Sequence, residues 1–212
     1  NAVLAHDTVC FGSTALPLHH NVDSILGGAK IGTDTRYRWI SSVDGGSSWE
    51  TAGGADSLNA SFVPMSMETT TVFSRVVKSG VCDDTSNQIT ITVLPAIENN
   101  EISQDTILCF GQTPDELIGT KPAGGDAALF SYKWEVADLI TGPYTEEATT
   151  QHYAPSFLEE SKFYRRVYYS GIHDACRDTT NILTVEVLPL INNNQLVASD
   201  DTMVCQLDAL PG

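Results

Sequence analysis

Basic side chains are scarce in this chain: 11 Lys and Arg stand against 27 Asp and Glu, a formal net charge of −16. A protein that grips nucleic acid or anionic lipid needs a basic face, so neither partner is expected. Also missing is any apolar run of the roughly 18 residues that a membrane helix takes, so no insertion into a membrane is expected. No secretory leader is visible, which leaves export open. Apolar residues nowhere keep a helical period over three turns. Nucleophile elbows, phosphate loops, H-E-x-x-H zinc helices and D-x-D-x-D-G calcium loops are absent, so no catalytic role and no cofactor is expected. The five histidines, His6, His19, His20, His152 and His173, do not recur at equivalent places. His173 near Cys176 reads as an exposed loop residue and not as a metal ligand. Asp83 and Asp84 beside Asn87 suit a weak calcium turn, yet Arg177 replaces Asp83 in the second copy and leaves turn capping as the reading.

What is present is repetition. DTVCFG at 7–12 returns as DTILCFG at 105–111 and as DTMVC at 201–205, which sets Cys10, Cys109 and Cys205 at spacings of 99 and 96 residues. A period of that length signals tandem domains, since solenoid units take about 20–50 residues. Tyr37 and Trp39 match Tyr132 and Trp134, and Pro64 to Arg75 has the length of Pro155 to Arg166. After the second Ser-Gly, three extra residues precede the cysteine, and then CDDTSNQITITVLP (82–95) aligns with CRDTTNILTVEVLP (176–189) without a gap. The polar stretches AIENN (96–100) and LINNN (190–194) read as linkers. The expected organisation is a first repeat at 1–97, a second at 98–193 and the opening of a third at 194–212. A lone opening segment cannot bury a core of its own, so we expect a window from a longer array or a tail that completes a neighbouring molecule.

Each full unit has one cysteine near its start and one near its end. That pattern predicts one disulfide per unit, Cys10 with Cys82 and Cys109 with Cys176, with Cys205 as the counterpart in the third. Such bonds persist in oxidising compartments. Metal ligation is the competing reading, but no C-x-x-C pair occurs and each unit offers two thiols. Cys82 and Cys176 are placed in the turn between the last two strands, so the bond is expected to tie the opening segment to that turn at one pole.

Strand signals dominate. Ile89, Ile91 and Val93 alternate with Thr90 and Thr92, as Leu183, Val185 and Val187 do with Thr184 and Glu186. VFSRVVK (72–78) and KFYRRVYY (162–169) are rich in β-branched and aromatic residues, and Ser-Gly followed by Asp, Thr and Asn predicts a hairpin turn after each. YRWISS and YKWEVA read as central strands, and DGGSSW (44–49) as a turn before another. Many short strands in about 95 residues predict an all-β chain of tandem Ig-like antiparallel β-sandwich domains. Trp39 and Trp134 are expected as core anchors, and Arg75 and Arg166 as strand arginines with packed stems and carboxylate partners.

In order and twice, FSRVVKSGVCDDTSNQITITVLP (73–95), FYRRVYYSGIHDACRDTTNILTVEVLP (163–189) and the unit openings resemble the Ig-like tandem repeats of giant cell-surface proteins of Bacteroidetes, among them gliding-motility adhesins and type IX secretion cargo. The resemblance implies export to the cell surface and an adhesive, stalk or filament role. It also implies O-glycosylation within Asp-Ser/Thr motifs, matched at Thr8, Thr106, Thr202, Ser24, Ser57 and Thr179, with the bland alternative that these residues cap turns. The expected partners are other copies or repeats of the same protein, assembled head to tail, and a cell-surface or glycan ligand. The alternative is a carbohydrate- or protein-binding module of a secreted protein, for which Trp49, Tyr144, Tyr168 and Tyr169 are the candidate ligand platform.

Overall fold

A computed structural model describes residues 7–19, 35–53, 58–103 and 106–196. In the first repeat the strands are β1 (Asp7–Cys10), β2 (Thr35–Ser42), β3 (Glu50–Thr51), β4 (Thr71–Ser79), β5 (Cys82–Thr85) and β6 (Ile89–Leu94). In the second they are β7 (Ile102–Ser103), β8 (Thr106–Cys109), β9 (Ile118–Gly119), β10 (Phe130–Ala137), β11 (Thr145–Ala148), β12 (Lys162–Ser170), β13 (Cys176–Thr179) and β14 (Leu183–Leu188). The described residues contain no α-helix.

The nine-residue strands β4 and β12 are where β-branched and aromatic side chains concentrate, and each becomes the spine of its repeat. Around β4 the sheet runs β1-β6-β4-β2-β3, with β5 also paired to β4. Around β12 it runs β11-β10-β12-β14-β8, with β13 paired to β12. A thinner second layer covers each. In the first repeat it is held by the bridges Ser13 to Met67 and Leu18 to Phe62, and in the second by Gln112 to Leu158, Leu117 to Tyr153 and the β7-β9 pair. The all-β, Ig-like sandwich is therefore the fold.

Between the layers sit two separate cores. Trp39, Phe62, Phe73, Ile89 and Ile91 cluster in the first, and Trp134, Leu117, Tyr164, Leu183 and Val185 in the second. Both tryptophans are fully buried, and each indole N–H donates to a backbone carbonyl at 3.0 Å, Asn59 for Trp39 and Thr150 for Trp134. A buried Trp needs that bond to offset the loss of water at its one polar atom.

Two strand expectations change. The Asp-Thr stretches after the Ser-Gly turns are not turn: Cys82 pairs with Ser79 and Thr85 with Val76, so the hairpin bends at 80–81 and continues as β5. The break comes later, at Ser86, whose hydroxyl accepts from the Arg75 amide at 2.9 Å and takes the place of a ladder carbonyl. Thr180 does the same for the Arg166 amide at 2.9 Å. A hydroxyl that captures a strand amide interrupts the pairing and produces a bulge.

The opening strand runs parallel to the last strand of its own repeat. Asp7 to Cys10 align with Ile91 to Leu94, and Thr106 to Cys109 with Val185 to Leu188. The first cysteine of each repeat thus lies at the pole where the chain leaves that repeat. The second lies at the hairpin turn, the opposite pole.

Candidate functional site

That polarity overturns the expected disulfides. Cys82 faces Ser79 while Cys10 lies three residues past the level of Thr71, so about eleven strand residues, roughly 35 Å at about 3.3 Å each, separate them. A disulfide needs Cα atoms within about 7 Å. Neither repeat can close its own bond, and the structure instead joins Cys10 to Cys176, Cα to Cα 5.4 Å, across the two repeats. Cys82 and Cys109 are free thiols, both exposed. The exit pole of the first repeat abuts the turn pole of the second, because the chain passes from one to the other there. The sequence expectation assumed that the start and end of a repeat share a pole, and parallel pairing of β1 with β6 removes that premise.

The stretch 96–100 is correspondingly not a free linker. Glu98 and Ala123 exchange backbone bonds at 3.0 and 2.9 Å, and the Gly125 amide donates to the Pro95 carbonyl at 2.9 Å. Gly124 has φ +80°, and a Cβ there would lie 1.8 Å from the Ala96 carbonyl oxygen, so only glycine lets the two backbones come so close. Asn100 is buried and does two things at once. Its amide NH₂ donates to the Asp178 carboxylate at 2.9 Å, and its carbonyl accepts from Arg166 Nη2 at 2.8 Å.

Arg166 explains why that amide is needed. Its side chain is fully buried, with Nη1 on the Gln151 carbonyl at 2.8 Å and Nη2 also on the Thr120 carbonyl at 2.7 Å. The guanidinium stands 4.9 Å from the Tyr132 ring centroid and 5.9 Å from that of Trp134. Burial pulls its pKa down, opposed by the Tyr132 hydroxyl. The expected carboxylate partner is replaced by neutral oxygens and ring faces, which hold a buried cation without burying an anion beside it. Arg75 likewise stands over ring faces, Tyr37 at 5.2 Å and Trp39 at 5.8 Å, with Nη1 on the Ala60 carbonyl at 2.8 Å. Sequence reasoning missed Asn100. The signal was there, since Asn194 holds the same place after the second repeat.

The proposed ligand platform is not one surface. Trp49 belongs to the first repeat, folded back on its own turn with its indole N–H on the Gly46 carbonyl at 3.0 Å. Tyr168 is buried against Phe130 and Tyr132, centroids 5.8 and 5.4 Å away. Tyr169, next along β12, points to the other face, where Arg177 lies 5.9 Å from its ring. Tyr144 is covered by Arg165 at 3.9 Å, and its hydroxyl donates to the Ile140 carbonyl at 2.9 Å. Alternation along a strand and cation–π cover, neither visible from residue type, disperse the four.

Of the threonines in the glycosylation motif, Thr8 is half-buried in β1, its amide on the Asp7 carboxylate at 2.8 Å. It borders a groove shared with Thr90, Thr92, Ile172 and His173, at the meeting of the two repeats. Thr106 opens β8 half-buried and Thr179 ends β13 exposed. Thr202, Ser24 and Ser57 lie outside the described residues, as does Cys205. His173 is exposed and the Cys176 sulfur is spent in the disulfide. A cleft of about 710 Å³ lies at the exit pole of the second repeat between Asp138, Glu147, Phe157, Glu159 and Tyr164. Among the described residues no helix is long and apolar enough to cross a membrane.

The fold and junction define a protein of serially joined Ig-like sandwiches. The chain belongs to the family described as a domain of unknown function (DUF8696), whose pattern matches it twice, at residues 1–95 and 98–189. No curated protein sequence matches it. Among solved structures it is similar to extracellular domains 3–5 of Drosophila OTK, at 9% identity and TM-score 0.45, covering 86% of this chain and 59% of that one. It is also similar to the N-terminal four Ig domains of Dscam1 isoform 6.9, at 12% identity and TM-score 0.35, covering 87% of this chain and 43% of that one.

Proposed function

We propose that the chain is a structural and adhesive repeat segment of an exported bacterial surface protein or filament, acting by contact and mechanical continuity and not by catalysis. The observation that carries this reading is the junction. A disulfide and a docked, hydrogen-bonded connector join the two repeats, as suits a chain that must hold its ends apart under tension. The disulfide favours an oxidising compartment, and the acidic surface keeps neighbouring chains apart in solution. Glycan at Thr8, Thr106 or Thr179 would add to that surface. The alternative of a carbohydrate-binding module draws less support, since its four aromatic residues are dispersed. Immunogold electron microscopy of intact source cells, with antibody raised against this chain, tests the proposal. Label on the cell surface or on released fibres supports it, and label confined to the cytosol overturns it.

A further inference from the structure

The Cys10–Cys176 bond joins the exit pole of one repeat to the turn pole of the next, and the same two positions stand open at the outer poles. Cys109 pairs in register with Leu188 as Cys10 does with Leu94. Cys82 faces Ser79 across its turn as Cys176 faces Ser170. Each outer pole therefore displays one half of the bridge that the inner junction has already completed. Exposure follows the same division: Cys176 is buried, whereas Cys82 is exposed.

The surroundings of Cys109 match those of a junction lacking its neighbour. Leu188 and Ile191 are 43% and 83% exposed, while their counterparts Leu94 and Ile97, at the inner junction, are half-buried. Asn193 has φ 60°, and Asn99, within the docked connector, has φ 58°. The stretch 190–194 thus already has the left-handed residue of the form that docks. Farther along, DTMVC at 201–205 repeats the sequence of the two earlier unit openings.

We propose that Cys109 and Cys82 are the two halves of this same inter-repeat disulfide. Cys109 takes the turn cysteine of a following repeat, and Cys82 takes the opening-strand cysteine of a preceding one. An array built this way is bridged at every junction and within no repeat. The occupant of each pole is another repeat of this build, and between separate copies Cys109 of one meets Cys82 of the next. Two thiols lose two protons and two electrons to a small-molecule disulfide, which departs as two thiols, and one S–S bond forms. The inference rests on the serial-array reading above and deepens it.

The test uses the full chain carrying Cys205→Ser, with Cys82→Ser or Cys109→Ser added so that each variant keeps one outer thiol. Both substitutions fall at exposed positions and leave the inner bridge intact. The two variants are incubated apart and mixed in a glutathione redox buffer, then examined by unreduced electrophoresis and peptide mapping. The expected result is monomer for each alone, a heterodimer linked Cys109 to Cys82 in the mixture, and a thiol-reversible ladder for the chain with both thiols. Symmetric dimers through Cys109 or Cys82, a mixture that stays monomeric, or Cys10–Cys82 and Cys109–Cys176 bonds in the parent chain would each overturn it. Surface labelling of cells is read independently, so a failure here would leave an array whose outer junctions are unbridged.

Discussion

The stretches 96–100 and 190–194 occupy one position in the repeat, and their surroundings differ completely. The first is zipped onto the second repeat, with Asn100 buried between Arg166 and Asp178. The second has Leu190 and Ile191 in water at 61% and 83% exposure. Similar residues with the same left-handed asparagine stand in solvent in one place and form a docked connector in the other. Burial at these poles is therefore a property of having a neighbour and not of the residues themselves.

The harshest way to probe that contrast is to empty one core and watch the other. Trp134→Ala is expected to cost the second repeat about 3–5 kcal/mol, and Trp39→Ala to cost the first about as much. With the junction intact, calorimetry should show either variant lowering a single shared transition. Two transitions, with only the mutated one displaced, would mean that the junction does not couple the repeats. Removing the bridge with Cys10→Ser and Cys176→Ser together should cost about 2–4 kcal/mol and divide that shared transition in two, while Cys82→Ser should leave the melting curve of the isolated chain unchanged.

A finer probe compares the two asparagines directly. Asn100→Ala takes one acceptor from a buried guanidinium and should cost about 1.5–3 kcal/mol in urea unfolding, whereas Asn194→Ala should fall within about 0.5 kcal/mol. Equal effects would show that the docked connector adds nothing.

The smallest expected effect separates the repeats by acid. Asp44 accepts from the Ser48 hydroxyl at 2.6 Å, the Ser42 hydroxyl at 2.7 Å and the Ser48 amide at 2.9 Å. These bonds, the Ser48 hydroxyl foremost, hold its carboxyl well below the usual carboxylate range. A depressed native pKa gives stabilisation that is fully present above the unfolded value of about 3.9 and is lost as pH falls through the native one. Mild acid should thus leave the 44–49 turn ordered, and only stronger acid should loosen it. NMR titration of the Asp44 carboxyl reads this, and a midpoint near 4 would contradict it.

Strand identities were legible because alternation is a local signal: Ile89, Ile91 and Val93 had to share a face whatever surrounded them. The core tryptophans were legible because so large an apolar group on a central strand has nowhere else to go. The arginines were half legible. Their packed stems followed from their strand neighbours, but for Arg166 the replacement of a carboxylate by Asn100 and ring faces depends on a segment 66 residues away. Asp83 and Asp84 misled, since turn-forming residues were carried into β5 by backbone pairing to β4. The aromatic platform failed for a related reason, since Tyr168 and Tyr169 are adjacent in sequence and face opposite ways.

By itself the sequence determined the repeat, its period and the sandwich that each period builds, because these rest on hydrophobic alternation and on the recurrence of whole motifs. Only the tertiary structure decided which cysteines meet. That choice turns on whether the opening strand runs parallel or antiparallel to the last one, and so on the pole at which its sulfur emerges. Spacing along a chain carries no information about that direction, while the pairing of backbone amides and carbonyls fixes it completely.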